Sequence, residues 1–446
     1  MTNNLTEGNI RNNLIKFVLP YLLAAFLQTF YGMADLMIVG MYNTASTTTA
    51  VSIGSQVMHM LTVIILGFAM GTTVHVGQCV GAKDNEGAGR IVANSIYFFT
   101  AFAVVVTACL LIATNAITKV MSTPVEAVAE TRQYLYICFG GLPFIVAYNV
   151  ISSVYRGAGD SKRPMYFVAI ACAVNIILDF AFIGFFGMGA VGAALGTIIG
   201  QAVSVFVALI KSRKIDFGFR LSLKKSKIDR NSIMKVLSVG TPIAVQDGFI
   251  QIGFIVITII ANSRGLIDAA AVGIVEKIIC FMFLVPSSFL SAISAITAQN
   301  IGAGKKDRAK KSLYYGLLFA VSWGMICAIY NQFLPHTLVA GFTRETEVLL
   351  AGCEYLRSYS FDTVFAAVHF CFSGYFCGCE KSKLSFIHNL CSVLLVRIPG
   401  TYMFSKMWPD TLYPMGWGAP LGSLLSAIMC VCFFIYYEKI KVDNKE

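Results

Sequence analysis

The sequence predicts an all-α membrane protein, with twelve transmembrane helices in two pseudo-twofold-related six-helix bundles. Three observations predict it: a large apolar excess, an uneven distribution of basic residues among the connections, and an internal repeat. Of 446 residues, 57% are apolar and only 13% charged, with mean hydropathy +0.72. A soluble domain carries roughly 25% charged residues, so this chain lacks the charge to coat its own surface and needs a bilayer as solvent. A spanning helix uses about 20 apolar residues plus a short connection, so the length holds about twelve helices and no separate soluble catalytic domain.

Taken in order, apolar runs bounded by charge or turn residues lie near 15–41, 51–78, 92–114, 133–155, 165–186 and 189–210. A second set lies near 236–262, 270–298, 313–335, 351–377, 384–405 and 414–437. The polar start through Asn13 lacks the charged stretch and cleavage site of a signal peptide, so the first run is expected to stay attached as a span. The 13 cysteines fall mostly inside apolar runs, where Cys behaves as a small hydrophobe, and imply no disulfide framework.

An even number of spans places both termini on one side. The connections on that side hold 26 Lys and Arg, among them Lys83, Arg90, Arg156, Lys162, Arg163, the basic stretch from Lys211 to Lys235, the Lys305–Lys311 loop, Lys381 and Lys383. The opposite side holds 6: Lys119, Arg132, Arg264, Arg344, Arg357 and Lys406. Basic residues are retained on the cytoplasmic face, so both termini are expected to be cytoplasmic in a multi-pass protein of the cell (inner) membrane. The same asymmetry accounts for the net charge of +11 without nucleic acid.

The two halves resemble each other at a displacement of about 221 residues. Pro20 meets Pro242; Gln78, Gly81 and Ala82 meet Gln299, Gly302 and Ala303; Gly157, Ser161 and Lys162 meet Gly378, Ser382 and Lys383; Met188-Gly189 and Leu195-Gly196 meet Met415-Gly416 and Leu421-Gly422. Six spans per repeat start both halves on the same side, so their pseudo-twofold axis runs along the membrane normal. The division expected is an N-terminal lobe over 1–210, a cytoplasmic linker over 211–235 and a C-terminal lobe over 236–446. Two such lobes with a cleft between them suit alternating access.

Four stretches then carry a likeness: Gln28-Thr-Phe-Tyr-Gly-Met-Ala-Asp35, Gly77-Gln-Cys-Val-Gly-Ala82 with its partner Ala298-Gln-Asn-Ile-Gly-Ala-Gly304, Arg156-Gly-Ala-Gly-Asp-Ser161, and Asn175-Ile-Ile-Leu-Asp179. In this order and on this topology, the chain resembles the multidrug and toxic compound extrusion (MATE) family, in its DinF/MepA-like branch. The second half departs from the pattern, since Phe376-Cys-Gly-Cys-Glu380 stands where the Arg-Gly-x-Gly-Asp form is expected.

An ionised side chain at the bilayer centre costs about 2.5 kcal/mol or more, so acids retained within spans are functional candidates. Five qualify, Asp35, Asp179, Asp247, Glu276 and Asp362, against two bases, Lys277 and Arg397. That balance favours cations as driving ion or cargo. At a rise of 1.5 Å per residue, Asp35 lies about 30 Å into span 1 and Asp179 about 21 Å into span 5, both in the outer half of the first lobe. Asn175 lies one helical turn from Asp179 and shares its face. Two carboxylates and an amide oxygen can ligate Na+, and a carboxylate pair can equally share a proton. The resemblance implies that Asp35, Asn175 and Asp179 form the cation-coupling site, and the metal site if the ion is Na+.

Asp247 and Asp362 lie near the midplane of spans 7 and 10, Arg397 at similar depth can neutralise Asp362, and Glu276 with Lys277 lies nearer the outer surface. Cargo contacts are expected from Gln28, Tyr31, Met33, Gln56, Met58 and Gln246, with Asp247, Glu276 and Asp362 supplying charge. Core packing is the alternative at each Met and aromatic position. Pro20, Pro143, Pro242 and Pro286 remove helix hydrogen bonds and permit bends, which membrane helices also tolerate without functional consequence.

Several signals carry no chemistry. Gly187-Met-Gly189-Ala-Val-Gly192 matches GxGxxG but joins two spans, and Gly192, Gly196 and Gly200 fit helix packing. Cys377 and Cys379 alone are weak metal ligands, and His59, His75, His369 and His388 have no second His at i+4. No Ser/His/Asp arrangement or phosphate loop supports a membrane-embedded enzyme. The expectation is a monomeric secondary antiporter that exports amphipathic organic cations or drugs across the lipid bilayer in exchange for H+ or Na+, without other cofactor. The alternative is a flippase of lipid-linked or polysaccharide precursors from the same superfamily, which the surplus of intramembrane acids argues against.

Overall fold

A computed structural model describes residues 4–213, 217 and 227–443, and among these the chain is helical with no strand. Nearly half of the expected linker, 214–216 and 218–226, lies outside the described residues. In a bilayer each backbone N–H and C=O must be satisfied within its own segment, so long apolar runs close into helices.

The first repeat comprises α1 (Ile10–Tyr42), α2 (Ala45–Gly81), α3 (Asn85–Val120), α4 (Val128–Gly140), α5 (Leu142–Gly157), α6 (Lys162–Asp179) and α7 (Gly189–Ser212). The second comprises α8 (Arg230–Asn262), α9 (Leu266–Gly302), α10 (Lys306–Phe333), the short α11 (Pro335–Val339), α12 (Thr346–Tyr359), α13 (Asp362–Gly378), α14 (Ser382–Cys391), α15 (Ile398–Met407) and α16 (Gly418–Asp443). Among the described residues, ten helical segments are long and apolar enough to cross a membrane.

The eleventh span, Val125–Gly140 with Leu142–Gly157, is bent by 45° where the sequence suggests one straight span over 133–155. Gly141 separates its halves and Pro143, in the first turn of α5, withholds a backbone N–H there. Its repeat counterpart, α12 with α13, is interrupted at Ser360–Phe361. Two spans also widen into π-helical turns, Phe180–Phe185 after α6 and Ser392–Arg397 between α14 and α15.

Packing divides the chain into two units, one built from Leu19–Gly240 and the other from Leu5–Val18 with Thr241–Glu446. This differs from a boundary at the linker, because the opening turns of α1 and α8 each pack with the other repeat. Leu5, Leu14, Phe17 and Val18 belong to the core around Phe289, Ile293 and Ile296, and Val236 to the core of the first unit. Both divisions fall just before a helix proline, Pro20 in α1 and Pro242 in α8. Polar contacts reinforce the first: Arg308 donates to the carbonyls of Glu7 and Gly8 at 3.1 and 3.0 Å, and Lys305 donates to that of Thr6 at 3.0 Å.

The Arg156–Ser161 motif is a helix-to-helix turn. Gly159 adopts φ +86°, and Asp160 accepts from the backbone N–H groups of Lys162 and Arg163, opening α6. An ion pair from Arg163 at 2.7 Å completes the cap. In the second repeat the turn shifts the expected match by one residue, to Cys377–Lys381, so Glu380 stands at the equivalent of Gly159, not of Asp160, and takes φ +59°. The divergent motif therefore keeps the turn geometry at the cost of left-handed backbone on a residue with a Cβ.

Candidate functional site

Within the first unit, α1, α6 and α7 bring together residues far apart in sequence. Asp35 is 3% exposed, Asn175 2% and Asp179 0%. The carboxyls of Asp35 and Asp179 are neighbours, with Asn175 beside them. Thr197 Oγ1 on α7 donates to Asp35 Oδ2 at 3.1 Å. Room for the cluster comes from glycines on the same helix: a Cβ at Gly196 would lie 2.3 Å from Asp179 Oδ1, and one at Gly200 2.9 Å from the carbonyl of Ala171.

Asp35 Oδ1, both carboxylate oxygens of Asp179 and both polar atoms of the Asn175 side chain are buried without a hydrogen-bond partner. Among the described residues neither acid forms an ion pair. Two facing carboxylates in a water-poor interior repel, and a single proton or small cation between them removes the repulsion. The ligands are all oxygens, which suits H+ or an alkali cation; among the described residues no group of three or more His, Cys, Asp or Glu is arranged for a transition metal.

Thr197 was not legible as part of this cluster, because a Thr in an apolar run carries no charge to mark it. Tyr31, half-buried one turn before Asp35, accepts from Gln201 Nε2 at 3.4 Å. The other residues expected to meet cargo scatter in their surroundings. Gln28 and Met33 are half-buried and Gln56 is exposed, whereas Met58 is buried in the apolar core of the first unit. For Met58 core packing is what the structure shows, since its α2 neighbours Val57, Ile65 and Ala69 belong to the same core.

The second unit has its own polar centre. Asp362, fully buried at the start of α13, forms an ion pair with Arg397 at 3.0 Å. The same Arg397 nitrogen donates to the Tyr359 hydroxyl at 2.7 Å, and the guanidinium lies 5.1 Å from the Phe254 ring centre. Asp362 is thus neutralised and sealed by protein, in contrast to the cargo contact expected of it. Glu276 is half-buried, 3.5 Å from the Thr258 hydroxyl. Gln246 is buried, accepting from Ser385 at 2.8 Å and reaching the half-buried Asp247 at 3.4 Å. His369 and His388, unremarkable in sequence, come together from different helices with ring centres 5.7 Å apart. His388 bonds Ser373 and Ser426, tying α13, α14 and α16 together.

Fold and site together define a multi-spanning helical membrane protein built by internal duplication, with buried acids retained in its spans. The chain belongs to the MatE family, whose pattern matches it twice, over residues 20–181 and 242–403. The two matches are displaced as the repeat requires. Among relatives, the probable multidrug resistance protein YpnP of Bacillus subtilis is 26% identical over 97% of this chain and 96% of its own length. The multidrug export protein MepA of Staphylococcus aureus is 21% identical over 97% and 95%. Among solved structures, an outward-facing multidrug resistance MATE family transporter of the MOP superfamily superposes with TM-score 0.91 at 21% identity, covering 99% of this chain and 98% of that one. A MOP superfamily transporter from Pyrococcus furiosus gives TM-score 0.92 at the same identity, over 99% and 98%.

Proposed function

We propose that this protein is a secondary active multidrug efflux transporter of the cytoplasmic membrane, exporting amphipathic organic cations by alternating access in exchange for H+ or Na+. The observation that carries the reading is the buried pair Asp35 and Asp179, neighbours with Asn175 and Thr197 at hand and no basic partner among the described residues. Such a pair is stable when it holds a positive charge and unstable when it does not, so its occupancy is linked to the conformations that admit the ion. In this reading Asp35 and Asp179 take up the coupling cation, Asn175 and Thr197 supply further oxygens, and the cation is a transported substrate. Relatives named as multidrug resistance and export proteins support the cargo class.

The test is efflux of a cationic dye from proteoliposomes under imposed H+ and Na+ gradients, applied separately. Asp35→Asn and Asp179→Asn are each expected to abolish the response to the effective gradient while the protein stays folded. The double variant should lose little more, because residues that act as one unit are non-additive. Independent, additive losses at the two positions, or normal gradient-driven efflux by either single variant, would remove coupling from this site.

A further inference from the structure

The last two spans of each repeat build equivalent polar centres with opposite charge. In the final helix, Leu195-Gly196-Thr197 of α7 corresponds to Leu421-Gly422-Ser423 of α16. The Thr197 hydroxyl donates to Asp35, and Ser423 is a neighbour of Asp362. The adjoining glycine opens the same helix face in both. A Cβ at Gly196 would meet Asp179 Oδ1 at 2.3 Å and Asn175 Nδ2 at 3.6 Å; a Cβ at Gly422 would meet Ser392 Oγ at 3.0 Å and Arg397 Cβ at 3.1 Å.

The preceding span supplies what fills that space. With Ser161-Lys162 set on Ser382-Lys383, Arg397 falls between the counterparts of Asn175 and Asp179. Both spans widen to π geometry there, immediately after Asp179 in one and ending at Arg397 in the other. The first repeat therefore places an amide and an acid against the glycine, and the second places Ser392 and the base of the Arg397 side chain, whose guanidinium reaches on to Asp362 and Tyr359. The partner carboxylate arrives on a different helix, α13 in place of α1, because the repeat equivalent of Asp35 is the apolar Ile257.

We propose that Arg397 is a tethered counterpart of the coupling cation, permanently filling in the second lobe the place that H+ or Na+ occupies reversibly in the first. This rests on the reading of Asp35 and Asp179 given above. A guanidinium stays protonated at any accessible pH, so Asp362 is neutralised in every ionic condition and the second centre takes up no ion. Coupling then runs through one lobe. The other titratable groups beside the Arg397–Asp362 pair are Glu276 on α9, Tyr355 and Tyr359 on α12 and His369 on α13, with Cys280 on α9 beside Glu276 and Tyr359. All of them stay constant in the test.

The test is the thermal midpoint of purified protein in detergent, followed against pH and against Na+ concentration, with folding checked by circular dichroism and size exclusion. Asp35→Asn combined with Asp179→Asn is the background, expected to have lost the cation response of the natural protein because both buried acids of the first centre are gone. Adding Arg397→Met should create a new one, approaching tenfold in the folding equilibrium per pH unit or per decade of Na+, because Asp362 must then acquire a proton or ion. Adding Asp362→Asn as well should abolish it, and Arg397→Lys should never show it. Folded Arg397→Met protein without new cation dependence overturns the proposal, as does a cation response in the background that Asp362→Asn removes. If Arg397→Met alone does not fold, its recovery by Asp362→Asn supports the tethered charge, and continued failure to fold overturns it. A background response indifferent to Asp362→Asn tells against coupling at Asp35 and Asp179 instead, and the increment on adding Arg397→Met still decides the role of Arg397.

Discussion

Gly196→Ala tests the Asp35–Asp179 centre without touching any of its polar atoms. The added methyl would lie 2.3 Å from Asp179 Oδ1 and 3.4 Å from its Cγ. Ordinary contact starts near 3.4 Å, so the carboxylate must withdraw by about 1 Å or turn away from Asp35. Overpacking of this kind costs about 1–3 kcal/mol, which a folded helical lobe tolerates. The geometric loss is larger in function: a displacement of about 1 Å within a positioned constellation reduces its output by roughly 100-fold. Gradient-driven dye efflux should therefore fall at least tenfold while expression and the thermal midpoint change little. Gly32→Ala, on the same helix as Asp35 with nothing within 4 Å of the added methyl, is the control and should keep full efflux. Full efflux with an unaltered ion requirement in Gly196→Ala would show that Asp179 has no positional role and would refute the reasoning.

Three further outcomes are expected. Glu380→Gly relieves left-handed backbone at φ +59° and should stabilise the protein by about 1 kcal/mol, read as a higher thermal midpoint; an unchanged or lower midpoint contradicts the strain. Thr197→Val removes the hydroxyl that donates to Asp35 while keeping the shape, and a hydrogen bond to a charged group contributes about 1.5–3 kcal/mol in favour of the free carboxylate, so apparent H+ affinity should rise at least tenfold in a flux titration. Unchanged affinity would exclude Thr197 from the site. New thiols at Thr44 and at Lys306, both exposed, should react with an impermeant reagent from outside and from inside respectively, and the reverse pattern would invert the topology read from the basic residues.

The sequence by itself determined the spans, the duplication and which charges lie in the apolar layer. The physical reason is that a bilayer leaves an apolar run no alternative to a helix, and a charge inside one stands out against every neighbour. It also placed Asn175 and Asp179 on one helix face, since that follows from local geometry. The tertiary structure alone decided which distant groups meet. Asp35 faces Asp179 and Thr197, Arg397 seals Asp362, His369 finds His388, Met58 enters the core, and the first turns of α1 pack with the second repeat. Shared depth in the apolar layer made Arg397 with Asp362 legible, and the family resemblance implied Asp35 with Asp179; the other pairings stay silent, because helices apolar nearly all round carry no polar–apolar stripe to report which face turns inward.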